Sequence, residues 1–283
     1  MRLAMLVMIA ALAAASSGRE LCAADVRPID VIEDNSFLIE EAYNQEAGVV
    51  QHIGTFAYNN DSRQPGWTFS FTQEWPIFSQ DHQFSYTVPS YHYIDGSDRV
   101  YGVGDVLLNY RYQALMETET IPAFAPRFSL ILPSGNVRRG TGNGAVGYQW
   151  NLPFSKKLGS LFATHLNLGL TYQPNVRAVM NTDQLSPKRS LVSYNVGVSG
   201  IYALFPRVHL MLEWVGNGED SINGSGRTVL VFAPVISPGI RAAVVNEDKL
   251  QVVVGAAVPI GLNRQGNNNQ GAFLYLSIEH DLF

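Results

Sequence analysis

The sequence predicts an all-β protein: a single transmembrane, antiparallel, up-and-down β-barrel of about 12 strands, preceded by a short N-terminal segment. Three observations carry this. Apolar and polar residues alternate with a period of two through most of the chain beyond Gly48. Only 15% of the 283 residues are charged, yet mean hydropathy is just +0.01. Soluble domains carry roughly 25% charge, and helical membrane proteins are far more apolar. A barrel has this mixed profile because each lipid-facing residue is diluted by a lumen-facing one. Finally, the chain ends on a strand, Gly271 to Phe283. There Leu274, Leu276, Ile278 and Leu282 alternate with Ser277, Glu279 and Asp281. Such a strand must pair on both edges in lipid, where each unpaired backbone group costs several kcal/mol.

Residues 1–24 read as a secretory signal. Arg2 is the basic start, Leu3 to Ala15 the apolar run, and Cys22 and Ala24 the small residues before the cut. Arg19 and Glu20 interrupt the run short of the roughly 20 apolar residues a spanning helix needs. With Leu21 they also make a poor approach to a lipidated Cys22. Cys22 is the only cysteine, so a chain cut after Ala24 has no disulfide and no thiolate metal site.

Residues 25–46 are acidic, with Arg27 the only base. Asn35 or Ser36 can cap a short helix carrying Phe37, Glu40, Glu41 and Tyr43. Two readings stay open: a periplasmic lead-in, or a plug in the barrel mouth.

Residues 47–283 supply the staves. Trp67, Phe69, Phe71 and Trp75 alternate with Thr68, Ser70, Thr72 and Glu74. Phe84, Tyr86 and Val88 follow. Val106, Leu108, Tyr110 and Tyr112 alternate with Asp105, Asn109 and Arg111. Phe128, Leu130 and Leu132 alternate with Arg127 and Ser129, and Tyr148, Trp150 and Leu152 with Gln149 and Asn151. Leu166, Leu168 and Leu170 alternate with His165 and Asn167; Val192, Tyr194, Val196 and Val198 with Ser193, Asn195 and Ser199. Val208, Leu210, Leu212 and Trp214 alternate with Arg207, His209 and Glu213, and Leu250, Val252 and Val254 mark another face. Stretches 47–58 and 227–240 are less regular but keep strand composition. Each unit is near the ten or so residues that cross a membrane at barrel tilt. An even count places both termini in the periplasm. External loops then fall near 59–65, 95–101, 133–143, 174–190, 217–226 and 262–270. Periplasmic turns fall near 78–81, 116–122, 154–158, 205–206 and 245–248. Trp75-Pro76, Pro153-Phe154 and Phe205-Pro206 set an aromatic beside a proline at these ends. Proline stops ladder pairing, and the aromatic suits the membrane interface.

Motifs for chemistry are sparse. Gly142, Gly144 and Gly147 match a dinucleotide fingerprint, but a strand pattern follows where a helix is required. Arg138 and Arg139 in the same loop make a small basic spot. Six histidines, His52, His82, His92, His165, His209 and His280, show no metal-ligand spacing. No G-x-S-x-G occurs, so no catalytic residue is assigned. No cofactor and no metal are expected. The net charge of −5 gives no ground for a nucleic-acid partner. The expected partners are outer-membrane lipids and a small solute.

The informative set is the predicted lumen: Glu74, Asp105, Arg111, Arg127, His165, Arg207, His209 and Glu213, among many Ser, Thr, Asn and Gln. About twelve strands enclose a narrow interior. Those charges either pair and fill it, or line a tight passage that selects solutes by size and charge. Three functions follow: a passive channel, a structural or adhesive barrel with a sealed lumen, or a lipid-modifying enzyme that lacks a recognisable hydrolase signature.

Several phrases are more particular. They are Ile32-Glu33-Asp34-Asn35-Ser36-Phe37, Glu40-Glu41-Ala42-Tyr43-Asn44-Gln45-Glu46, Gly48-Val49-Val50-Gln51-His52, the stretch from Phe128 to Asn136, and the ending from Ser277 to Phe283. On these the chain resembles the phenol-degradation meta-pathway family of outer-membrane β-barrel transporters. The resemblance implies an outer-membrane location and uptake of aromatic or other hydrophobic compounds. It implies no catalytic residue.

Overall fold

The computed structural model describes residues 27–60, 65–95, 98–263 and 270–282. The expected signal at 1–24 and the terminal Phe283 lie outside these. Strand segments β1 (Val49–Asn59), β2 (Gly66–Ile77), β3 (Ser79–Asp95), β4 (Asp98–Val103) and β5 (Val106–Tyr112) come first. Then come β6 (Ala123–Phe124), β7 (Arg127–Leu132), β8 (Gly147–Leu158), β9 (Phe162–Val176) and β10 (Arg189–Phe205). The last are β11 (Val208–Ile222), β12 (Thr228–Glu247), β13 (Leu250–Ala257), β14 (Ile260–Gly261) and β15 (Gly271–Asp281). All pairings are antiparallel, β1 pairs β15, and β11 pairs β12, so the sheet closes as a 12-stave barrel.

Twelve staves arise from fifteen segments because three staves are broken. β4 and β5 both pair β3, β6 and β7 both pair β8, and β13 and β14 both pair β12. Proline sits at each break. Pro89 accepts from the Gly104 amide opposite the first, Pro126 interrupts the second, and Pro259 interrupts the third opposite Pro238. A residue without an N–H cannot continue the ladder.

The barrel is inverted relative to a soluble protein. Ser129, Ser155, Asn167, Ser199, Glu213 and Ser237 are buried inside, whereas Trp150, Leu168, Leu170, Tyr194 and Leu212 are exposed outside. Only a surrounding apolar medium makes that arrangement favourable. Among the described residues no helix is long and apolar enough to cross a membrane.

Three expectations are corrected. The helix expected around Asn35 to Tyr43 does not form; the 3₁₀ turn in this region is Pro28–Asp30. Its backbone groups bond to lumen side chains instead of to each other, as described below. The turn expected at 154–158 is strand, because β8 continues to Leu158 and turns at Gly159, whose φ is 71°. The loop expected at 217–226 is also shorter: β11 runs to Ile222, paired with Thr228. At the opposite extreme, the turn from β2 to β3 is the single residue Phe78, with φ of 65° and its side chain 97% exposed.

Candidate functional site in the lumen

Residues 27–46 run inside the barrel. They enter at the end where β1 begins and β15 stops, rise to an apex at Phe37–Ile39, and return to β1. Near the entry the Ile29 amide donates to Ser160 O at 3.1 Å, and His209 Nε2 lies 3.2 Å from Pro28 O. On the ascent, Arg241 donates to three carbonyls: Asp34 O at 2.6 Å, Asn35 O at 2.9 Å and Ile32 O at 3.1 Å. Asp34 Oδ1 accepts from Gln51 Nε2 at 2.9 Å and from the Tyr275 hydroxyl at 2.6 Å.

At the apex the Leu38 and Ile39 amides both donate to Glu213 Oε1, at 2.7 and 3.2 Å. Phe37 packs between Phe273 and Tyr275, with centroid distances of 5.5 and 5.4 Å. The wall admits this ring because Gly239 and Gly255 face it. A Cβ on either would lie 2.7 or 2.4 Å from the Phe37 ring.

The descent is held by charge. Glu40 accepts from Arg127 Nε at 2.9 Å, from Arg111 Nη1 at 3.3 Å and from Asn151 Nδ2 at 2.6 Å. Asn167 both donates to Glu40 O (2.8 Å) and accepts from its amide (2.9 Å). Arg111 also donates to Asn44 Oδ1 at 2.8 Å and to Tyr43 O at 2.6 Å. The Ala42 amide donates to Ser155 Oγ at 2.7 Å, the Asn44 amide to Gln113 Oε1 at 2.9 Å, and the Gln45 amide to Gln83 Oε1 at 2.8 Å. Each bond replaces the water that an irregular backbone otherwise needs.

The carboxylates of the segment divide by environment. Burial opposes ionisation of Glu40, but Arg127 and Arg111 outweigh it and hold its pKa below the ordinary value. Burial raises the Glu41 pKa well above the ordinary value, and the Asp34 charge adds to this. Burial also raises the Asp34 pKa, against the opposing pull of Arg241.

The predicted lumen residues separate into two groups. Glu74, Arg111, Arg127, His165, His209 and Glu213 line the half occupied by the segment. Of these, Arg111, Arg127, His209 and Glu213 contact it directly; Glu74 accepts from Gln83 at 2.6 Å, and His165 Nδ1 meets Ser155 Oγ at 2.6 Å. Asp105 lies at the break between β4 and β5, where it accepts from the Gly135 and Asn143 amides and shapes the loop at 133–143. Arg207 is not a lumen residue: it sits in the turn between β10 and β11, 3.5 Å from Asn246 O. The alternation that includes His209 begins only with β11 at Val208, and Arg207 precedes it in the turn, so the strand parity does not extend to it.

Sequence reasoning missed Arg241, Gln83, Asn151, Ser155 and Gln113 as partners of the segment. Arg241 shares inward parity with Ser237 on β12, a signal the irregular pattern of 227–240 hid. The Ser155–His165 pair has the contact geometry of a nucleophile and base. It is covered by the Ala42 backbone and buried with it, so its role here is to seat the segment. Among the described residues no group of three or more His, Cys, Asp or Glu is placed to hold a metal ion.

Above the apex the lumen opens. A cavity of about 470 Å³ is floored by residues 35–40 and ringed by Thr55, Thr72, Thr87, Gln149, Thr171 and Asn217. A second cavity of about 580 Å³ shares Leu38, Asn195 and Asn217 with it and reaches the loop end.

No family model matches the chain, and no curated protein matches it. Solved structures do. An outer membrane channel from Pseudomonas putida F1 superposes with a TM-score of 0.65 at 12% identity, covering 84% of this chain and 97% of that one. This chain has the fold of an outer-membrane barrel. The beta domain of the Bordetella autotransporter BrkA matches with a TM-score of 0.50 at 9% identity, over 84% of this chain and 100% of that one. With the inverted polarity described above, this places the protein in the outer membrane.

Proposed function

We propose that the protein is an outer-membrane channel for passive uptake of small solutes, with residues 27–46 forming its narrowest part and the termini on the periplasmic side. The observation that carries this is the pair of joined cavities that opens at the loop end and stops at Phe37–Glu40. A barrel with a purely mechanical role has no need of a chamber lined by oriented polar groups. The chamber is two-sided. Leu38, Ala57, Val215, Ala233, Val235 and Phe273 form an apolar wall, and Thr68, Asn195, Asn217 and the tyrosines Tyr91 and Tyr93 supply polar edges. A flat apolar body with a polar rim fits such a wall. This supports aromatic or other hydrophobic compounds as the solutes, in line with the family resemblance.

The test is reconstitution in planar bilayers and liposomes. The full mature chain should pass small phenolic solutes, and deletion of residues 27–46 should raise single-channel conductance severalfold. The bonding of the segment to the wall favours a second reading, a sealed barrel. That reading predicts no flux from the mature chain and no gain on deletion, and this result would remove the channel proposal.

A further inference from the structure

The seam where the first and last strands meet carries a feature that the lumen does not use. His52 on β1 and His280 on β15 both lie on the outer face, near the end where β1 begins and β15 stops. Their parity is that of Leu276 and Phe56, opposite to that of the inward Gln51 and Ser277. The two Nε2 atoms are 3.2 Å apart, and the rings are nearly parallel, with centroids 5.3 Å apart and 21° between planes. Phe71 stacks on the other side of His52 at 6.2 Å.

His280 is oriented by its second nitrogen. Its Nδ1 lies 2.8 Å from Asp281 O. A carbonyl only accepts, so Nδ1 carries the proton, and in the neutral ring Nε2 presents a lone pair toward His52. A ring nitrogen held this way, by a bond from the other nitrogen to a backbone carbonyl, is how metal-ligating imidazoles are commonly set. Two nitrogens 3.2 Å apart, each about 2.05 Å from one ion, subtend roughly 100° at it. This lies between square-planar and tetrahedral angles, so Cu²⁺, Ni²⁺ and Zn²⁺ are all accommodated.

We propose that His52 and His280 form a two-imidazole site for a divalent transition-metal ion, which clips β1 to β15 across the barrel seam. Water completes the coordination, since the pair lies within a few residues of the strand ends. Val49–Asp281 is the last residue pair of this ladder. The six histidines show no such pairing in linear order. It appears only when residues 228 positions apart become neighbours across the closing ladder.

The experiment titrates the refolded, detergent-solubilised full mature chain with CuCl₂, NiCl₂ and ZnCl₂ in a non-chelating buffer. Calorimetry should show one saturable site for at least one of these metals. His52→Ala and His280→Ala should each weaken it by about tenfold or more, while His92→Ala leaves it unchanged. With metal at about 100 times Kd, the folded-to-unfolded ratio should rise about 100-fold, and EDTA should reverse the rise. X-ray absorption of the copper-loaded wild-type chain should show two imidazoles per ion, a readout that holds even if the variants fold poorly. Equal isotherms for the wild-type chain and the double variant, or a spectrum without paired imidazoles, would overturn the proposal.

Discussion

Glu40 and Glu41 are adjacent and electrostatically opposite, Glu41 buried and Glu40 partly buried. Glu40 faces Arg127 and Arg111, and its lowered pKa means that its contribution to docking is present above the ordinary carboxylate pKa. That contribution is lost as pH falls through the lowered value. Glu41 lacks such a match, and burial raises its pKa, so its contribution has the other sign: present at low pH and lost as pH rises. Glu40→Gln should therefore loosen the segment at neutral pH, by about 3–5 kcal/mol for a broken buried pair. Glu41→Gln should tighten it. Protease cleavage within residues 27–46 of the folded barrel, followed from pH 7 downward, reads both effects. Wild-type cleavage should rise below the Glu40 transition, and Glu40→Gln should lose that rise.

Beyond the 3₁₀ turn at Pro28–Asp30, the 27–46 segment has no regular secondary structure of its own. Its helix-cap residues Asn35 and Ser36 are present, yet Ser36 Oγ bonds Ser199 Oγ at 2.9 Å, and Asn35 Oδ1 accepts the Glu41 amide at 3.0 Å. Tertiary partners outcompete a local helix because an isolated helix this short is marginal. The apex depends on shape. Gly255→Ala puts a methyl where the Phe37 ring lies, so it should displace the apex and raise conductance. Phe37→Ala should do the same, at a cost of about 3 kcal/mol of docking. The double variant should fall well short of the summed effects, since both act on one contact. Additive conductance changes in bilayers would show that Phe37 is not the element's anchor.

At the scale of the whole barrel, the two faces of each strand answer to different media. Leu168 lies outside and its neighbour Asn167 inside, against Glu40. Leu168→Arg should destabilise the barrel by about 2–4 kcal/mol in vesicle unfolding titrations, as expected for a charge on the lipid face near mid-membrane. Asn167→Ala should leave barrel unfolding nearly unchanged but loosen the segment, seen as faster proteolysis of residues 27–46. Equal effects on global unfolding would contradict the separation of barrel from inner segment.

Strand parity, stave number and membrane orientation of the faces were readable from Trp67 to Leu276 because they are local. A period of two assigns each residue to a face before any pairing exists. The inward parity of Glu74, Arg111, His165 and Glu213 was legible on the same ground. Arg207 was misplaced because alternation does not mark where a turn ends, and the turn between β10 and β11 runs through it. Asp105 could not be seen as a loop anchor, because its partners Gly135 and Asn143 follow 30 and 38 residues later. Above all, only the tertiary structure decided what Arg111, Arg127 and Arg241 are bonded to. Alternation states that a side chain points inward; closure of the ring determines what else is there. The amino-acid sequence by itself determined a lipid-embedded twelve-stave wall. The folded molecule decided that half of its interior is filled by the chain's own residues 27–46, because buried backbone and buried charge must find partners and the lumen supplies them.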